Sequence, residues 1–164
     1  MAFIADLAQF KANLAALPVS TYEPGETVLA AGSTTGKVFI LRKGQVEVTR
    51  DGTQIATVSE PGALFGELAA MLDKPHTADV RALERSEFHV ATASSLLTEN
   101  KAALLYVSAM LARRLDTANE VIVEIKKDLE AGKGSGTIKK ALKKLEKVFL
   151  CPPGRLEDYY HYPY

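Results

Sequence analysis

Residues 61–80 read PGALFGELAAMLDKPHTADV, and this stretch decides the fold. Gly62 and Gly66 let the backbone turn tightly and come close to a ligand. The segment 66–71 predicts a short helix whose first N–H groups have no partner inside the helix. Such an end attracts an anion. Glu67 at the same end complements the helix dipole. It can also accept hydrogen bonds from a ligand hydroxyl, since an ionised carboxylate is an acceptor only. Pro75-His76-Thr77 follows, then a β-rich run, and a second set of N–H groups at Thr77 and Ala78 can face the same pocket.

Upstream, residues 19–62 hold short β-rich runs punctuated by turns at Pro24-Gly25, Gly32-Ser33, Lys43-Gly44, Asp51-Gly52 and Pro61-Gly62. Asp51-Gly52, between VEVT and QIATV, signals a hairpin, because a type I′ turn needs positive φ at both central residues. Two more strands are predicted near ADVRAL and EFHVATA. Closely spaced short strands of this kind suggest a β-barrel or jelly-roll sandwich. The fold class is therefore mainly β with flanking helices. The β-roll takes residues 18–94, and an N-terminal helix takes 1–17.

Downstream, residues 95–130 read as one long helix region. Leu111, Leu115, Ala118, Ile122, Ile125 and Leu129 are spaced 4, 3, 4, 3, 4. That is a heptad seam and predicts a homodimer helix, with packing on its own domain as the alternative. Arg113 and Arg114 read as solvated helix charges; the alternative is that one of them reaches a bound purine. Residues 131–164 form a linker (GKGSG), a basic amphipathic helix and a Tyr-rich tail. The helix TIKKALKKLEKVF sets Ile138, Ala141, Leu142, Leu145, Val148 and Phe149 on one face and five lysines elsewhere. GKGSG is not a phosphate loop, because the order GxxxxGK[ST] is absent.

The 164 residues are 47% hydrophobic and carry 20 basic and 20 acidic side chains, so nothing suggests a chain built mainly to hold nucleic acid. The single Cys151 fits a reducing compartment, and no apolar run approaches the roughly 20 residues of a membrane span. A cytoplasmic location is expected. The three histidines and Cys151 show no metal spacing, and no arrangement of a nucleophile with a base, or of paired carboxylates, can be argued from spacing. The expectation is no enzyme, no metal and no resident cofactor.

The pattern as a whole resembles the cyclic nucleotide-binding domain, the family of the catabolite activator protein and of protein kinase A regulatory subunits. Phe65-Gly66-Glu67-Leu68-Ala69 is followed, with Pro75 six positions after Ala69, by Pro75-His76-Thr77-Ala78-Asp79-Val80. The flanks YEPGETVLAAGS and VFILRKGQVEV resemble the family's first strands and the strand pair around its glycine, here Gly44. The resemblance implies a cAMP or cGMP ligand. Glu67 would take the ribose 2′-hydroxyl. Backbone N–H groups of Gly66, Glu67, Leu68 and Ala69, and of Thr77 and Ala78, would hold the cyclic phosphate. Thr77 leans toward tolerating guanine. Val46 and Val48 would line the sugar–base pocket or serve as core, and Phe65 opens the motif. The long helix would act as lid, dimer helix or both.

His76 departs from the pattern, since the family carries arginine there. Arginine offers a permanent charge and a planar donor fork, whereas histidine, with a pKa near 6.5, is mostly neutral at pH 7. Losing a charged hydrogen bond worth about 1.5–3 kcal/mol predicts binding weakened roughly ten- to over a hundredfold. A second helix with a recognition turn is not visible, so DNA binding is not expected. An unknown protein partner is. The alternative is a dimeric interaction module with a vestigial pocket.

Overall fold

The structure, a computed structural model, describes residues 13–132 and 136–146. The hairpin at Asp51-Gly52 is the local feature that fixes the middle of the fold. Asp51 has φ 51° and Gly52 φ 75°, as a type I′ turn requires. They join β4 (Val46–Arg50) to β5 (Thr53–Val58), with Arg50 opposite Thr53. Alternation along β4 buries Val46 and Val48.

Eight antiparallel strands make two four-stranded sheets. The others are β1 (Val19–Tyr22), β2 (Thr27–Leu29), β3 (Lys37–Lys43), β6 (Leu64–Phe65), β7 (Asp79–Ala82) and β8 (Ser86–Thr92). One sheet has the order β1-β8-β3-β6 and the other β2-β7-β4-β5. Leu41, Val46, Val48, Val58, Phe65 and Val80 fill the space between them. Phe88 meets Tyr22, Phe39 and Phe65 edge to face, with centroids 5.6, 6.2 and 6.1 Å apart. This is the geometry that aromatic quadrupoles favour.

The expected strand pair around Gly44 is β3 and β4. β3 and β4 lie in different sheets, so Gly44 is a corner and not the turn of a hairpin. Its φ is 108°, and a Cβ would come 2.6 Å from Ser86 Cα. The glycine is there for close approach. The buried Ser86 hydroxyl locks the corner by accepting from the Gln45 N–H at 3.2 Å.

After β6, the described residues form four helices: α1 (Glu67–Leu72), α2 (Ala93–Leu97), α3 (Lys101–Glu130) and α4 (Gly136–Glu146). The region expected as one helix after residue 94 is two. Asn100 starts α3 as an N-cap, accepting from the Ala103 N–H at 3.0 Å. Strand β3 is buried on both faces. Phe39 and Leu41 point into the roll, while Val38 and Ile40 meet Leu64 of β6 and Leu96, Ala103, Tyr106, Val107 and Met110 of the helical layer. Leu14 and Leu17 join that layer; the rest of the expected N-terminal helix, residues 1–12, lies outside the described residues.

Beyond Met110, much of the outer surface of α3 is exposed, although Val121 is fully buried. Leu111 still packs on the helical layer, but Leu115, Ile122 and Leu129 of the heptad seam are 63%, 61% and 60% exposed. Ala118 and Ile125 are half-buried. Helix α4 packs back on α3 and touches β5. Of its expected apolar face, Ala141 is buried and Ile138 is exposed. Val148, Phe149 and the tyrosine tail lie outside the described residues, and so does the side chain of Leu142. Among the described residues, no helix is long and apolar enough to cross a membrane.

Candidate functional site

Gly66 sets the geometry of the site. It holds φ 87° as the N-cap of α1 and supplies no side-chain cap. A Cβ on it would lie 2.7 Å from the Lys37 carbonyl oxygen and 3.3 Å from His76 Cε1. Only glycine fits there, so the chain can turn sharply out of β6 and start α1 with Glu67 in the first position. The helix has six residues and ends at Asp73, which is also left-handed.

A cavity of about 120 Å3 opens at this turn. The expected site residues Phe65, Gly66, Glu67, Leu68, Ala69, His76, Thr77, Ala78 and Val48 all line it. Val46 does not; it is fully buried between the sheets, so its core role holds. Residues 65–69 and 76–78 are thus brought together from the two ends of one segment, because α1 folds it into a tight loop.

His76 is buried and tied to the loop beside it. Its N–H donates to the Ser33 carbonyl at 2.9 Å, and its carbonyl accepts from the Gly32 N–H at 2.8 Å. The ring Nε2 lies 2.9 Å from Thr35 Oγ1. Burial pushes the His76 pKa down, since desolvation disfavours the charged ring. His76 therefore enters the site as a neutral imidazole with a partner already in place. Behind α1 a second cavity of about 290 Å3 shares Gly66, Ala69 and His76 with the first. Lys74 lines that second cavity and not the first.

The main correction concerns Arg114. Expected as a solvated charge, it comes from α3 into the first cavity and pairs with the Glu67 carboxylate. The Arg114 side chain is only 13% exposed, and Glu67 is buried. Burial pushes the Glu67 carboxyl above the ordinary glutamate range, while the Arg114 guanidinium pulls it back. Arg50 and Ile55, which the sequence reading did not single out, also line the cavity. Nothing in the spacing ties Arg114 to Glu67, 47 residues earlier. Among the described residues, no cluster of three metal-ligating side chains occurs.

The profile of the family described as "Cyclic nucleotide-binding domain" matches residues 19–99. Over 63 residues the chain is 40% identical to Glutaminase 1 of Bradyrhizobium diazoefficiens, covering 38% of this chain and 10% of that one. Over 93 residues it is 32% identical to the cAMP-dependent protein kinase regulatory subunit of Yarrowia lipolytica, covering 54% of this chain and 24% of that one. The aligned stretch spans less than a quarter of either relative. The crystal structure of the Thermus thermophilus catabolite activator protein superposes with a TM-score of 0.58 at 20% identity, over 86% of this chain and 80% of that one. At that identity the likeness speaks to fold alone. The two-sheet roll, the tight loop carrying Glu67 and the matched profile agree, and through residues 19–99 this chain belongs to the cyclic nucleotide-binding domain family.

Proposed function

We propose that this domain is a cyclic nucleotide sensor that binds cAMP or cGMP in the cavity at Gly66 and signals through movement of α3. The carrying observation is the convergence of residues 65–69 and 76–78 on one cavity with the buried Glu67 among them. Glu67 would accept from the ribose, and the N–H groups of the two loop ends would hold the phosphate. The cavity of about 120 Å3 is smaller than the roughly 300 Å3 at the low end of small-molecule sites. A bound nucleotide would widen the cavity, and Arg114 makes α3 one of its walls. A ligand that binds the open arrangement better shifts the population toward it.

In this reading the neutral His76 weakens the phosphate contact. The reading includes a cytoplasmic location, no catalysis and an unidentified protein partner. It also includes a homodimer through Leu111, Leu115, Ala118, Ile122, Ile125 and Leu129, favoured by the exposure of the seam's outer positions. A second reading is an interaction module with a vestigial pocket. It is favoured by one observation, that Arg114 already occupies Glu67. Calorimetric titration of the protein with cAMP and with cGMP separates the two. Saturable binding at micromolar ligand supports the sensor, and no heat from a protein that still dimerises supports the module.

A further inference from the structure

A bound cyclic nucleotide brings an ionised phosphate into a site walled by Val48, Leu64 and Phe65. Burying that charge without a counter-charge is costly. Three residues lining the cavity could supply one: His76, Arg50 and Arg114. His76 is held neutral by burial and engaged with Thr35. The Arg50 side chain is 59% exposed and lies 3.8 Å from Asp51, so its charge is largely solvated and screened. Arg114 is the buried cation of the three, and it stands on Glu67.

We propose that Arg114 neutralises the phosphate of the bound nucleotide, so that α3 itself grips the ligand. The proposal rests on the cyclic nucleotide reading above. A guanidinium has five N–H donors in a fixed fork, enough to serve a carboxylate and a phosphate oxygen together. Arg114 then stands between two anions and holds both. It has a second task at Glu67. Burial raises the Glu67 pKa and the Arg114 guanidinium opposes the rise, which favours the ionised form that accepts the ribose hydroxyl. The position on the helix matters as well. Ala103, Tyr106, Val107 and Met110 anchor the first part of α3 to the roll, and Arg114 follows one turn later. A pull on Arg114 acts on the second half of α3, which carries the exposed Leu115, Ile122 and Leu129 and against which α4 packs.

The test is calorimetric titration with cAMP and cGMP of the natural protein, Arg114→Gln, Arg114→Lys and the double variant His76→Arg/Arg114→Gln, each checked for folding by circular dichroism. Arg114→Gln should weaken binding about ten- to a hundredfold. Arg114→Lys, which keeps the charge but loses the fork, should weaken it less. The double variant returns a guanidinium to the same cavity from position 76 and should recover most of the loss. If Arg114→Gln binds as well as the natural protein or tighter, Arg114 is a plug on Glu67 and the proposal falls while the sensor reading stands. If the double variant stays as weak as Arg114→Gln, the loss came through packing and the proposal again falls. If neither the natural protein nor the double variant binds, the sensor reading itself fails and takes this one with it. Should Arg114→Gln not fold, Arg114→Lys carries the test, and affinity equal to the natural protein overturns the proposal.

Discussion

Gly66 combines a backbone φ of 87° with a carbonyl oxygen 2.7 Å from where its Cβ would be. Gly66→Ala should therefore cost about 1–3 kcal/mol of stability, measured by urea denaturation, and should abolish any nucleotide binding; an unchanged midpoint would contradict this account of the turn. Ten positions later, His76 titrates with a definite sign. Its folded pKa lies below the ordinary 6.5. Between those two values the unfolded chain binds a proton that the folded chain does not, so stability falls as pH falls. The drop in Tm between about pH 7.5 and about pH 5.5, on either side of the histidine range, should be smaller in His76→Gln than in the natural protein. His89, whose pKa is also lowered by burial, titrates in both proteins, so the difference isolates His76. An equal drop in the two would show that His76 does not titrate differently on folding. Gly66 and His76 were legible in the sequence because their constraints are local: a turn, a helix start, a spacing of ten. Arg114 was not. Its partner is 47 positions away, and an arginine on a charged helix gives no sign of which way it points.

Among the elements, α3 is long for what it packs against. A helix of 30 residues extends roughly 45 Å, and the residues that anchor it to the roll lie in its first third. The exposed Leu115 and Ile122 face either water or a second helix. Burying a large aliphatic side chain is worth about 1.5–3 kcal/mol, so a paired seam would gain substantially from both. Leu115→Glu/Ile122→Glu should convert a dimer to a monomer in sedimentation without altering the circular dichroism spectrum. A natural protein that already sediments as a monomer at high concentration would rule the seam out. The heptad spacing was readable, since it is a property of one helix. The break at residues 98–100 was missed despite Asn100, a good N-cap, because the apolar pattern alone continues across it. The strands on either side of Gly44 were readable as well, but a glycine announces positive φ and does not say whether the strands it joins will pair.

For the molecule as a whole, the roll and the helices are not separable pieces. The reading of 18–94 as a unit of its own follows the change of hydrophobic period near residue 94, but β3, inside the sheet β1-β8-β3-β6, is buried on both faces. A chain ended after residue 94 would uncover Val38, Ile40, Leu64 and Ala91. It should bind a hydrophobic dye and aggregate, whereas the full chain should do neither; a soluble, dye-silent fragment would contradict the packing described. A central strand wetted on neither face gives the protein no plane of cleavage between roll and helices. Heating should then produce one endotherm for roll and adjoining helices together, its calorimetric and van't Hoff enthalpies equal.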